Sequence, residues 1–443
     1  MNWTVESPPT KVPATAKQVG DVRARWAWTE PAVWTDCMLT ALENGVKGGV
    51  WFSLMDKVYS LRNLMAAYGK VAANRGAAGV DHVTVQHFGK DVFEHVDRIV
   101  EQLRTDTYRP QAIRRTYIPK PGTSEQRPLG IPTVRDRVVQ AAVRHVLEPI
   151  FEREFADHSY GFRPGRGCKQ ALRRVDALLK QGFRHVVDVD LKSYFDTIPH
   201  DKLMALLRTR IADSRVLKIV ERFLKARILD DLKTWTPEQG APQGAVLSPL
   251  LSNIYLNPLD HLMASQGFAM TRYADDLIIQ CRTREEAEAA LAVVRQWTAE
   301  AGLTLHPTKT KIVEATTEGF EFLGYRFEKH RRFPRAKSLA KFKDAIRAKT
   351  RRTNGRNLHA IITDVNRTLR GWFEYFKHSY HTTFASQDGW VRRRMRSILR
   401  SRHRHRGLSG GRDHQRWPNA YFIEQGLYTL ESAHARACQP SAR

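Results

Sequence analysis

The sequence predicts an α+β protein that turns, over its last quarter, into an all-helical and strongly basic one. Three observations carry that expectation. Between about residue 74 and residue 328, short runs of strand-forming residues alternate with amphipathic helical patterns. From about Ala336 onward the apolar residues recur only at helical spacing. The charge also divides: from Lys329 to the end there are 27 basic and 7 acidic residues, against 45 and 39 in the first 328. The whole chain of 443 residues carries a formal +26. A local excess of this size points to a polyanionic partner, most commonly nucleic acid.

The bulk numbers exclude several classes. With 42% hydrophobic residues the chain is neither disordered nor membranous, and no apolar run reaches the length of a membrane span. The N-terminus lacks the basic and apolar regions of a secretory signal, so a cytoplasmic protein is expected. Cys37, Cys168, Cys281 and Cys438 are scattered without a CxxC pair and read as reduced thiols.

Residues 1–38 are polar and proline-dotted around an aromatic island at Trp26–Trp34. Met38 to Tyr68 reads as helical, Asn74–Val80 as a turn-rich joint, and Phe88–Leu103 as a further helix. In TYIPKPGTSEQRPLGIPT, residues 116–133, two extended segments flank a Pro-Gly-Thr-Ser turn, which predicts a hairpin with Lys120 and Arg127 on either side of its tip. Arg135–Phe155 is expected as a long helix, and GFRPGRGC, residues 161–168, as a basic loop opening into a helix to about Lys180. A strand over His185–Asp190, helix through most of Leu203–Arg227, a Pro242-Gln243-Gly244 turn leading into an apolar helix, and a helix over Arg284–Ala301 follow. The terminal block predicts a helix bearing Leu358, Ile361, Ile362, Val365, Leu369, Trp372, Phe373 and Phe376 on one face, and another over Trp390–Arg400.

The chemistry centres on TRYADDLIIQC, residues 271–281. Two adjacent carboxylates beside a run of strand formers require a cation. Asp188 and Asp190 supply further acids on one strand face, with Asp196 after a turn. Such oxygen-only ligands suit Mg²⁺ or Mn²⁺. Taken alone, an Asp-Asp turn is more often a solvated turn than a metal site. Order changes that reading: phosphate-holding cations lie upstream, a tight polar turn lies between the acids, and a basic helical block lies downstream. Together these describe nucleotidyl transfer assisted by two metal ions.

At this point the chain resembles reverse transcriptases. Tyr273-Ala274-Asp275-Asp276 matches their YxDD box, Asp190-Leu-Lys-Ser-Tyr-Phe-Asp196 their first catalytic segment, and Ala241-Pro-Gln-Gly244 their nucleotide-pocket segment. IPKPGTSEQRPLGIPT, SYGFRPGRG, LTLHPTKTK and FLGYRF resemble the remaining blocks in the family's order. More narrowly, SYGFRPGR, Leu369-Arg-Gly-Trp-Phe-Glu-Tyr-Phe376 and WPNAYFIEQGL resemble bacterial group II intron-encoded reverse transcriptase/maturases.

The resemblance implies a right-hand polymerase: an N-terminal extension over 1–70, fingers and a palm with a small antiparallel sheet over 71–328, a helical thumb/maturase domain over 329–406, and a basic tail over 407–443. It implies Asp190, Asp275 and Asp276 as catalytic residues holding two Mg²⁺ (or Mn²⁺) ions, with Leu191 as a further ligand position. Lys120, Arg127, Gln243 and Lys309 would contact the dNTP. Phe195 would block a 2′-OH, though plain packing also fits it, and for Lys309 and Lys311 surface charge is an equal reading. Asp188 and Asp196 are read as supporting. Arg163, Arg166, Arg367, Arg370, Arg392, Arg393, Arg396 and Arg400 are the candidates for contact with RNA. The implied partners are group II intron RNA, a template/primer duplex, dNTPs and target DNA, with no membrane and with nucleoid association when DNA is bound. After Arg400 no CxxC occurs, so no C-terminal HNH endonuclease is expected, and DNA insertion would need a primer made elsewhere. Two other readings stay open here: an RNA-binding splicing chaperone with a vestigial polymerase site, and an RNA-dependent RNA polymerase or another type of reverse transcriptase without an intron.

Overall fold

A computed structural model describes residues 22–119, 126–329, 331–403 and 411–438. Contacts divide the chain into two compact units. The first includes residues 124–178 and 187–312 with the chain before them, and the second includes 179–186 and 313–443.

The first unit is built around the helix Val134–Glu152, whose side chains are buried on nearly every face. Thr133 starts it, its hydroxyl accepting the Asp136 N–H at 3.2 Å. Described residues of the expected N-terminal extension pack into this core: Trp34 is fully buried, with its indole N–H donated to the His145 carbonyl at 2.8 Å. The helical stretch expected from Met38 to Tyr68 is broken into Asp36–Asn44, Met55–Val58 and Leu61–Ala73. Gly45, Gly48 and Gly49 cause the break, each with φ between +71° and +86°. Likewise Phe88–Leu103 becomes two helices meeting at Asp91, and Leu203–Arg227 becomes His200–Arg208 and Ser214–Leu224. Asp213 caps the latter, accepting the N–H groups of Arg215 and Val216.

Two sheets matter to the site. The predicted hairpin forms from β1 (Ile113–Pro119) and β2 (Gln126–Ile131), with Ile118 opposite Arg127. After β3 (His185–Asp190) come β4 (Ile228–Asp230) and β5 (Lys233–Trp235), which extend the hairpin into a sheet of order β2-β1-β4-β5. The central sheet has the order β6-β7-β3-β8, with β6 spanning Ala269–Tyr273, β7 Asp276–Cys281 and β8 Lys311–Glu314. Leu277, Ile278 and Ile279 of β7 are all buried, which explains their unbroken apolar run.

The second unit holds a small antiparallel sheet of β9 (Phe320–Phe322), β10 (Tyr325–Glu328) and β11 (Arg331–Pro334). It is tied to the helical part by mutual hydrogen bonds: the Tyr325 hydroxyl donates to the Tyr375 carbonyl at 2.6 Å, and the Tyr375 hydroxyl to the Leu323 carbonyl at 2.7 Å. This sheet therefore belongs with the helices, and the division at 312/313 precedes the expected boundary at 328/329. The helix Leu358–Phe376 buries Ile361, Ile362, Val365, Leu369, Phe373 and Phe376, as its periodicity predicts. Each such side chain contributes about 1.5–3 kcal/mol. The helix over Trp390–Arg400 is longer than predicted, running Thr382–Arg402.

The segment expected as a basic tail folds. Helices Gly411–Arg416, Asn419–Glu424 and Leu430–Cys438 place Trp417, Phe422, Leu427 and Leu430 in the same apolar core. The apolar residues here are too few per helix to show a period, which is why the fold was not visible from spacing. All four cysteines are unpaired. Among the described residues no helix is long and apolar enough to cross a membrane.

Candidate active site

Strands β6 and β7 pair with Tyr273 opposite Asp276, which leaves Ala274 and Asp275 as a two-residue turn. Ala274 has φ +60°, a conformation that glycine usually takes in such turns and that costs another residue roughly 1–2 kcal/mol. The compensation comes from Arg272, a fully buried arginine. Its Nη1 donates to the Ala274 carbonyl at 3.0 Å and to Asn253 Oδ1 at 2.9 Å, while Nε meets the equally buried Asp260 at 2.8 Å. Asn253 in turn donates to the Gly161 carbonyl at 2.8 Å. Gly161 presses on the turn so closely that a Cβ there would stand 2.2 Å from the Ala274 nitrogen. Tyr160 donates its N–H to the Arg272 carbonyl, and Arg272 returns one to His158. The SYGFRPGRG segment thus braces the acidic turn from its edge.

Asp190 ends β3. The loop after residue 303 closes on it: His306 donates its N–H to the Asp190 carbonyl at 2.7 Å, and Lys309 Nζ stands 3.2 Å from Asp190 Oδ2. The neighbouring Leu191 is buried and forms an isolated antiparallel bridge with Leu305. The Asp275 carboxyl is pushed above the usual carboxylate range. Lost hydration is the main cause; the charge on Asp190 adds to it, while a backbone hydrogen bond and the charges on Arg127 and Arg272 oppose it. Its outer surface is exposed, so the crowding comes from the protein beneath and beside it.

Two neighbouring oxygen-only side chains, the charge of Asp190 helping to raise the Asp275 carboxyl, fit a divalent cation, which would remove that repulsion. Among the described residues no group of three or more His, Cys, Asp or Glu side chains converges as metal ligands. The charge of Asp190 acts on Asp275. Asp276 begins β7, where strand alternation turns successive side chains to opposite faces.

Phe195 and Gln243 line one cavity of about 300 Å³, together with Arg115, Gly130, Asp196 and Trp235. Backbone bonds hold its walls: Ala241 donates to the Phe195 carbonyl and Gly130 to that of Gln243, each at 2.7 Å. Gly244, with φ +102°, lies against Gly130, where a Cβ would meet the carbonyl at 2.6 Å. That contact accounts for the glycine of the Ala-Pro-Gln-Gly turn. Burial raises the Asp196 carboxyl, and the Arg115 charge opposes the rise. Arg127 is exposed on β2. Lys120 lies outside the described residues.

The arginines predicted to meet RNA divide sharply. Arg163 is buried, paired with Glu152 at 2.7 Å and donating to the carbonyls of Ala156 and Ser159, so it braces its own corner instead of facing a partner. Arg396 is 2% exposed and bonds the Trp417 carbonyl and Asn419, again a structural role. Arg166 bonds Asp157, and Arg400 bonds Asp413. Arg367, Arg370 and Arg393 are exposed, and Arg392 is half-buried. The bracing role of Arg272 escaped the sequence reading. Its one signal there was a charged residue inside a strand otherwise built for burial.

The chain is similar to known proteins over most of its length. The family profile described as "Reverse transcriptase (RNA-dependent DNA polymerase)" matches residues 118–327, and that described as "Group II intron, maturase-specific domain" matches residues 339–417. The chain is 41% identical over 214 residues to "Group II intron-encoded protein LtrA" of Lactococcus lactis subsp. cremoris, covering 48% of this chain and 35% of that protein. It is 34% identical over 292 residues to "Protein YkfC" of Escherichia coli strain K12, covering 57% of this chain and 76% of that one. Among solved structures, "Partial Cas6-RT-Cas1--Cas2 complex" matches 56% of this chain and 41% of its own at 24% identity, with a TM-score of 0.36. The match to LtrA spans about a third of that protein's length.

Proposed function

The chain belongs to the family of group II intron-encoded reverse transcriptase/maturases, and on that premise we propose that it is an RNA-directed DNA polymerase that also assists its intron RNA in splicing and mobility. The observation that carries the reading is the Asp190/Asp275 pair at adjoining strand ends, with a nucleotide-sized cavity walled by Phe195 and Gln243 on the same unit.

In this reading Asp190 and Asp275 hold the divalent cations, with Asp276 and Leu191 in support. Bound Mg²⁺ or Mn²⁺ would activate the primer 3′-OH and neutralise the triphosphate and the leaving pyrophosphate. The chain's own residues do the rest. Arg127, whose charge already reaches Asp275, holds phosphate oxygens. Lys309, salt-bridged to Asp190, is an exposed cation free to swing toward phosphate once Asp190 takes other work. Gln243 orients the incoming nucleotide, and the Phe195 ring fills the place that a 2′-OH would need. Arg272 keeps the turn in its one productive shape. The exposed arginines of the helical unit would meet intron RNA and the template/primer duplex, and target DNA when the intron moves. Such work places the protein in the bacterial cytoplasm and, on DNA, at the nucleoid.

The test is primer extension on an RNA template with dNTPs and Mg²⁺. Wild type is expected to synthesise DNA, and Asp275→Asn is expected to lose synthesis while still binding RNA. An inactive wild type that binds intron RNA tightly would replace this reading with that of a splicing chaperone. An active Asp275→Asn variant would overturn the site assignment.

A further inference from the structure

The strip Gln239-Gly240-Ala241 is a thin wall with open space on both of its faces. On one side lies the cavity of about 300 Å³, which all three residues line together with Phe195 and Gln243. On the other lies a cavity of about 610 Å³, lined by Gln239 again and by His200, Met204, Arg208 and Glu238. Packing holds such a wall weakly, because a face turned to a void has no partner atoms there. Its position must depend on hydrogen bonds.

Those bonds run to the segment that carries Phe195. Ala241 donates its N–H to the Phe195 carbonyl at 2.7 Å, and Gly240 donates its own to the Ile198 carbonyl at 2.8 Å. The Gly240 carbonyl faces His200 Nε2 at 2.7 Å; a carbonyl only accepts, so Nε2 carries the proton. Gly240 also lies flat on Asp196: it has φ +93°, and a Cβ on it would stand 2.9 Å from the Asp196 carbonyl oxygen. The segment needs this support. Phe195 sits in a helix of four residues, Tyr194–Thr197, that opens on Ser193 at φ +50°. A single helical turn does not hold itself, and a left-handed serine adds strain.

The first two bonds are backbone to backbone, and any non-proline sequence could make them. The third comes from a side chain that does not line the nucleotide cavity. His200 opens the helix His200–Arg208 and is 7% exposed, and its other ring nitrogen, Nδ1, has no hydrogen-bond partner among the described residues. An apolar side chain would fill the place without leaving a buried polar atom unpaired. What the histidine adds is the bond to Gly240. We propose that His200 is a positioning residue of the nucleotide site: through the Gly240 carbonyl it fixes the wall at 239–241, and the wall holds Phe195 where its ring discriminates the sugar of the incoming nucleotide. The proposal rests on the polymerase reading given above and deepens it, since it gives the Phe195 ring a support outside the cavity.

The experiment measures incorporation of one nucleotide by the full chain on a primed RNA template, with kcat and KM taken for a dNTP and for the matching rNTP. His200→Leu removes the donor at similar size, and His200→Gln keeps an N–H donor near the place of Nε2. His200→Leu is expected to raise KM for the dNTP by about tenfold with kcat changed by less than about threefold, the scale of one hydrogen bond lost from the site. Its preference for dNTP over rNTP should fall by about tenfold as well, and His200→Gln should restore both to within about threefold of wild type. Should His200→Leu fail to fold, His200→Asn, whose amide is too short to reach the carbonyl, carries the same expectation. A merely structural role would lower the active fraction, and so kcat, while KM and the sugar preference stayed at the wild-type values; that result overturns the proposal. So does equal loss in His200→Gln and His200→Leu. The same assay reads the polymerase assignment separately: an inactive wild type overturns that reading and this proposal with it, whereas an active wild type beside an unaltered His200→Leu overturns this proposal alone.

Discussion

The hairpin β6–β7 and the helix Thr382–Arg402 both set arginines among apolar residues, yet they use them differently. On the hairpin, Arg272 is entirely enclosed, and its guanidinium is spent on Asp260, Asn253 and the Ala274 carbonyl. On the helix, the run Arg392-Arg393-Arg394-Met395-Arg396 is split by the helical period of 3.6 residues. Arg396 points inward to Trp417, Arg394 donates to the Thr350 carbonyl, and Arg393 faces outward. A local count of charge therefore measures neither stability nor the capacity to bind. What decides is whether the fold encloses an acceptor beside each cation.

The largest effect should come from breaking the enclosed pair. Arg272→Met leaves Asp260 buried without its partner and should destabilise the first unit by about 3–5 kcal/mol. Urea unfolding would measure this. An unaltered midpoint would show that the turn does not depend on the arginine.

Arg396→Ala and Arg393→Ala should then separate. The first should lower stability by about 1–3 kcal/mol through lost bonds to Trp417 and Asn419, with a minor effect on RNA affinity. The reverse pattern is expected for Arg393→Ala: unchanged unfolding, weaker RNA binding, and a salt dependence shallower by about one counterion. If the two variants behave alike, the distinction between enclosed and outward arginines fails.

How far this was legible beforehand follows from the same contrast. Strand and hairpin around Asp190 and Asp275 were visible because alternation and turn residues are local. Phe195 and Gln243, expected at the nucleotide, line one cavity because short backbone bonds join their segments. Arg163, Arg396 and Arg272 were misjudged or missed because their partners are other elements: Glu152 on the preceding helix, the Trp417 carbonyl in a segment taken for a tail, and Asp260 on the helix before β6. The broken helices near Gly45 and Gly48 were a different failure. The turn signal was present in the sequence, but the apolar spacing on either side outweighed it.

An enclosed group with no counter-charge should instead go neutral. His145 is buried with Nδ1 2.8 Å from Asn63 Oδ1, and burial, aided by the charges of Lys70 and Arg144, lowers its pKa to about 3. The unfolded chain takes up this proton near pH 6.5 while the folded chain resists, so the contribution to stability is intact above that pH. It is lost progressively as pH falls from about 6.5 toward 3. Wild type should therefore lose stability between pH 7 and pH 6 slightly faster than His145→Gln, in denaturation curves run side by side. Parallel curves would place a charged His145 in the core.

The most direct test of the account is the rate of first-nucleotide incorporation on an RNA template, followed across Mg²⁺ concentration for wild type, Asp190→Asn and Asp275→Asn. Both variants should fall by at least about a thousandfold, a barrier rise of ~4 kcal/mol, with duplex binding retained. Incorporation by either variant at close to the wild-type rate would mean that the Asp190/Asp275 pair is not where the chemistry occurs.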